Sequence, residues 1–122
     1  MAVSGQKVVS AYKVIAAGSV NNTLIAPNLS YLRGYQLVNN AAYVVYLHLY
    51  DKATAPVCGT DVPILTIAIP ASTTTPIPFP LTSTQEAVIF KNGLGFALSK
   101  GSADTDATVV VAADIVGTIF YV

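Results

Sequence analysis

The chain has 122 residues, 53% of them hydrophobic and 10% charged, and six basic residues balance six acidic ones. This length fits one domain with a real core, while charge far below the ~25% of average soluble domains points to an assembled state with apolar interfaces. The basic residues are scattered singly, no apolar run reaches the ~20 residues of a membrane helix, and Cys58 stands alone; no nucleic-acid partner, membrane partner or internal disulfide is expected.

Residues 1–6 are small and polar and read as a loose end. Lys13 interrupts the apolar stretch that a signal peptide would need, so no export address is expected. Residues 7–17 alternate imperfectly, with Val8, Tyr12 and Val14 at even positions, and read as a strand, with a short helix as the alternative. Residues 20–30 hold Asn21, Asn22, Pro27 and Asn28, which is loop chemistry. Their two glycosylation sequons read as turn residues in the absence of an export signal. Residues 31–38 predict a strand with Leu32, Gly34, Gln36 and Val38 on one face, and Asn39-Asn40 predicts a tight turn into the next strand. The first 40 residues read either as core strands or as an arm reaching to a neighbour.

The strongest signals are residues 43–51 and 62–69, aromatic and β-branched runs that suit a pleated, half-buried surface. Pro56 and Gly59 punctuate the connection, and two neighbouring strands are expected. In the first, Tyr43, Val45, Leu47 and Leu49 form the core face, while Val44, Tyr46, His48 and Tyr50 form a partly covered outer face. In the second, Leu65, Ile67 and Ile69 are the apolar set. Residues 71–80 carry Pro76, Pro78 and Pro80 and predict an edge strand or extended loop. Residues 86–90 predict a strand, Lys91-Asn92-Gly93 a turn and residues 94–99 the returning strand. A short apolar run at 108–112 precedes the last strand, 116–122. About eight short antiparallel strands without a major helix predict an all-β single domain, a β-sandwich or jelly roll, with a Greek-key return near the termini.

Residues able to carry chemistry are few. His48 is the sole histidine and lies mid-strand between tyrosines, where an ordinary aromatic-face residue sits. It would be the only possible base of a Ser-His-Asp triad and too little for a histidine-rich metal site. Asp104-Thr105-Asp106 opens like a calcium loop but lacks the downstream Gly and Glu, so it reads as loop capping. No phosphate-cradling or nucleophile-elbow motif occurs. No enzyme, cofactor or metal is expected. Seven tyrosines without tryptophan suit a sugar face or a protein interface, and Tyr46, His48, Tyr50, Tyr31 and Tyr35 are the interface candidates.

Leu49, Tyr50, Asp51, Ala53, Pro56, Gly59, Thr60 and Pro63 form the stretch LYD-x-A-x-x-P-x-x-G-T-x-x-P. Gly93, Ala97, Gly101, Asp104 and Asp106 follow as G-x-x-x-A-x-x-x-G-x-x-D-x-D, with Tyr121 in a final aromatic strand. Over about the last 80 residues the chain resembles small virion-associated proteins of tailed bacteriophages and prophages. The resemblance implies a small β-sandwich that decorates or cements a capsid, often as a trimer, with the major capsid protein as partner. It implies a protein made in the host cytoplasm and carried on the capsid surface, and no residue as a ligand. A tail- or fibre-borne adhesion or carbohydrate-binding module is the alternative.

Overall fold

Alternating apolar and polar side chains at period two place one face of each segment in the core, and strands are the regular structure that follows. The computed structural model describes residues 8–72, 77–78 and 87–122. Among these lie nine strands and no helix: β1 (Ser10–Ile15), β2 (Thr23–Ala26), β3 (Ser30–Asn39), β4 (Val45–Asp51), β5 (Leu65–Ile69), β6 (Ile77–Pro78), β7 (Val88–Phe90), β8 (Leu94–Ser99) and β9 (Ile115–Tyr121). The loose end expected at 1–6, most of the proline-rich stretch and Glu86 lie outside the described residues.

The first sheet runs β1-β9-β3, with β6 and β7 both on the far edge of β3; the second runs β2-β8-β4-β5. The antiparallel pairs are nested: β1 with β9, β2 with β8, β3 with β6 and β7, β4 with β5. With β6 and β7 sharing one strand's place, this nesting wound over two layers is an eight-position jelly roll. The expected sandwich, the β4–β5 pairing and the joining of the two terminal strands are all present. Residues 10–39 supply β1, β2 and β3 to the body of the two sheets.

Between the layers, Leu32, Leu37 and Ile119 of the first sheet meet Leu47, Leu49 and Leu98 of the second in one buried cluster. Tyr12 and Phe96 close it across the layers, edge to face with ring centres 5.9 Å apart. Val45, Leu47 and Leu49 are buried as the period of β4 predicts.

Several expectations fail for one shared reason: in a jelly roll, consecutive segments often change sheets. The β3–β4 hairpin does not form, because β3 pairs in the first sheet and β4 in the second. The turn at Lys91-Asn92-Gly93 likewise joins β7 on β3 to β8 between β2 and β4, so β8 does not return along β7. Residues 20–30 contain β2, a short strand held by β8 rather than by its own propensity. In β3 the pairing with β9 slips between Leu32 and Gly34. The slip reverses the faces beyond it, so Tyr35 and Leu37 are buried and Gln36 is exposed. Gly117 opposes this segment, and a side chain there would strike the Gln36 carbonyl oxygen.

The crossover from β3 to β4 is held by Asn39, which is fully buried. Its Nδ2 donates to the carbonyl oxygens of Tyr43 and Ile69, both at 3.0 Å, and its Oδ1 accepts from the Ala41 N–H at 2.9 Å. Buried backbone groups left unpaired cost about 1–3 kcal/mol. Asn39→Ala is therefore expected to lower the unfolding free energy by roughly 2–3 kcal/mol in urea titration. The exposed neighbour variant Asn40→Ala should stay within about 0.5 kcal/mol of wild type.

Candidate functional site

Two outer faces flank the core, and they are finished in opposite ways. On the second sheet, the rows Tyr50–Gly95, His48–Ala97 and Tyr46–Ser99 point away from the core. Two connections fold over them. From residues 52–64, Pro56 lies so close that a Cβ on Gly95 would sit 2.9 Å from its Cδ. Cys58 joins Tyr50 and Ala97 in a second buried cluster beside Val20. The Cys58 N–H donates to Asn22 Oδ1 at 3.0 Å, and its thiol to the Asp106 carbonyl at 3.3 Å. Burial pushes the Cys58 thiol and the Tyr50 phenol above their ordinary values, so both stay protonated at neutral pH.

The covering loops are shaped by aspartates, of which Asp106 has the capping role read from the sequence. The Asp106 carboxylate accepts from the Gly101 N–H at 3.2 Å, the Thr108 N–H at 3.0 Å and the Thr108 hydroxyl at 3.2 Å. The Thr108 N–H foremost holds its carboxyl below the usual range. Asp61 accepts from Lys52 Nζ and the Val57 N–H, both at 2.7 Å, and Asp51 from the Asn92 N–H at 2.7 Å. Asn21, in a sequon, serves as a turn residue: its Oδ1 accepts from the Ala17 N–H at 2.8 Å. At the far end of the cover the Tyr43 hydroxyl donates to Asp114, with Lys100 Nζ 4.3 Å above the Tyr43 ring.

His48 sits buried beneath this cover. The Ser99 hydroxyl donates to the Gly101 carbonyl at 2.8 Å, which leaves it only lone pairs for the 2.7 Å contact with His48 Nε2. Nε2 therefore carries the proton, and Nδ1 accepts from the Thr66 hydroxyl at 3.2 Å. The Ser99 proton is aimed away from the imidazole, so the pair is not arranged as a base activating a nucleophile. It pins β4, β5, β8 and the start of the following loop together.

Among the described residues, no loop covers the outer face of the first sheet. Register places Ile15, Val116 and Val38 in one outward row, Lys13, Thr118 and Gln36 in the next, then Ala11, Phe120 and Gly34. Tyr31, bonded to Val122 on one side and paired with Ile89 on the other, completes the face. Ile15, Tyr31 and Ile89 are 59%, 40% and 45% exposed. Lys13 is the one charged side chain in these rows.

The five tyrosine-stripe candidates thus do not make one surface. Tyr46, His48 and Tyr50 belong to the second sheet, with His48 and Tyr50 buried by the loops; Tyr35 faces the core after the slip in β3; Tyr31 alone is exposed. The sequence reading missed the bare face around it, because Ile15, Phe120 and Ile89 come from three segments with no local mark of exposure. Comparison with protein-family models, curated proteins and solved structures finds no match to this chain.

Burial lowers the His48 pKa from its ordinary 6.5. The unfolded chain then binds a proton that the folded chain resists, so stability falls as pH drops below 6.5 and levels off once folded His48 also protonates. The depressed Asp51, Asp61 and Asp106 act in a separate window, losing their contribution as pH falls below 3.8. Urea midpoints are expected to decline between pH 6.5 and 4 in wild type, and His48→Gln should flatten that decline.

Proposed function

We propose that this chain is a structural virion protein of the capsid decoration or cement type, which self-associates, with a trimer favoured, and stabilises the shell formed by the major capsid protein. The observation that carries the reading is the outer face of the first sheet, uncovered among the described residues, where the exposed Ile15, Tyr31 and Ile89 and the half-buried Phe120 flank a polar row of Lys13, Thr118 and Gln36. Exposed apolar side chains gathered on one sheet face are a mark of interaction sites. The low overall charge and the LYD and glycine–aspartate motifs support the same reading. A protein that binds only the assembled lattice stabilises that state by mass action, and for this a broad face serves better than a pocket.

The adhesion alternative calls for exposed, coplanar tyrosines. Of the seven, Tyr35 and Tyr50 are buried and only Tyr31 is exposed, so no tyrosine platform supports it.

Sedimentation velocity at micromolar concentration, with and without purified capsids stripped of the protein, tests the proposal. A compact trimer that pellets with capsids is expected, and Ile15→Glu should weaken self-association about tenfold or more, ~1.4 kcal/mol, without lowering the urea midpoint. A wild-type monomer indifferent to capsids would overturn the reading.

A further inference from the structure

Strand edges offer a different kind of recognition from sheet faces, because an edge exposes backbone donors and acceptors that another strand satisfies. The edges of this sandwich are not equally protected. β1 carries the exposed Lys13. β2 has four residues, an irregular register between Leu24 and Ala26, and Pro27 directly after it. The far edge of β3 is taken by β6 and β7. β5 shares only one of these devices, a proline directly after it, Pro70. Among the described residues it is hydrogen-bonded to β4 alone, in unbroken register over five pairs, and LTIAI contains no charge and no proline.

We propose that the free edge of β5 pairs antiparallel with β5 of a second copy of this chain about a two-fold axis at Ile67, joining two second sheets into one. The residue order selects this occupant. Antiparallel pairing centred on Ile67 sets Ile67 against its own copy, Leu65 against the partner's Ile69, and Thr66 against the partner's Ala68. Large apolar side chains then meet on the core side and small ones on the outer side, with no charge set against its like. Leu65 and Ile67 pack against the core yet are only partly buried, and a neighbouring strand would cover the flank that β4 leaves open. Just before the strand, Val62 and Ile64 are 72% and 48% exposed, and the same register brings Ile64 beside the partner's Pro70.

Five strand residues span about 17 Å, and with Val62 and Ile64 the contact stays at the small end of protein interfaces. It is therefore a reversible, micromolar-range association, distinct in place from the first-sheet face and independent of that face's role. Used together, contacts through opposite layers would link copies into an extended array, as a shell coat requires.

The test is hydrogen exchange and sedimentation on the full chain from low to high micromolar concentration. β5 amides are expected to gain protection as concentration rises. Ala68→Lys and Ala68→Glu, at an exposed outward position, should each weaken that association about tenfold or more through like charges set diagonally across the axis. An equimolar mixture of the two variants should restore it, which a mere loss of folding would not allow. β5 protection that does not change with concentration, or Ala68→Lys associating as wild type does, would overturn the proposal. Association lost in Ile15→Glu but intact in Ala68→Lys would overturn the β5 contact alone and leave the first-sheet reading standing.

Discussion

Asn39 occupies the point where the chain leaves one layer for the other. A jelly roll has to make this passage repeatedly, and each passage carries backbone donors and acceptors into a region that water does not reach. At the end of β3 the problem is acute, since the first turn of the crossover, the approach to β4 and the end of β5 converge there. One carboxamide serves all three, with two donors and one acceptor in use. Replacing the pin with an apolar group would leave the crossing of the sheets without its polar closure. The register of β4, and with it the placement of His48 and Tyr50, depends on that crossing.

From this frame follows an asymmetry between the two faces. β4 and β8 lie in the middle of the second sheet and are covered on both sides, by the core and by the loops at 52–64 and 100–108. Leu94–Ser99 is buried at every position, although strict alternation would leave half of it wet. Polar groups trapped under the cover are largely paired: His48 through Ser99 and Thr66, Cys58 through Asn22 and Asp106. The first sheet has no such cover among the described residues. The scarcity of charge then falls on a surface that is open, and that combination is the physical basis for reading the chain as a building block.

Loop chemistry explains why the cover is stable without secondary structure of its own. Asp61 and Asp106 each accept from backbone N–H groups near them in sequence, so the loops are folded by short-range bonds before they pack. The half-buried Lys52–Asp61 ion pair, at 2.7 Å, lies near the surface and adds little beyond orientation, since surface pairs contribute about 0–1 kcal/mol. Packing of Pro56 and Cys58 on Gly95, Ala97 and Tyr50 supplies the apolar contact. The small residues of β8 are what allow a loop to approach so closely.

Local chemistry was legible in the sequence where it acts over a few residues. Alternation in residues 43–51 determined the core face of β4, Pro56 and Gly59 determined a loop, and Asp106 was recognisable as a capping residue. Strand number and the all-β class followed from the spacing of turn residues. Only the tertiary structure decided which strands became neighbours. Asn39-Asn40 and Lys91-Asn92-Gly93 look like hairpin turns, yet both carry the chain between layers, because the partners that win, β9 for β3 and β4 for β8, are far away in sequence. It also decided that His48 and Tyr50 are covered while Ile15 and Ile89 are bare, since the loops that bury the first pair and spare the second are placed by the winding of the whole chain.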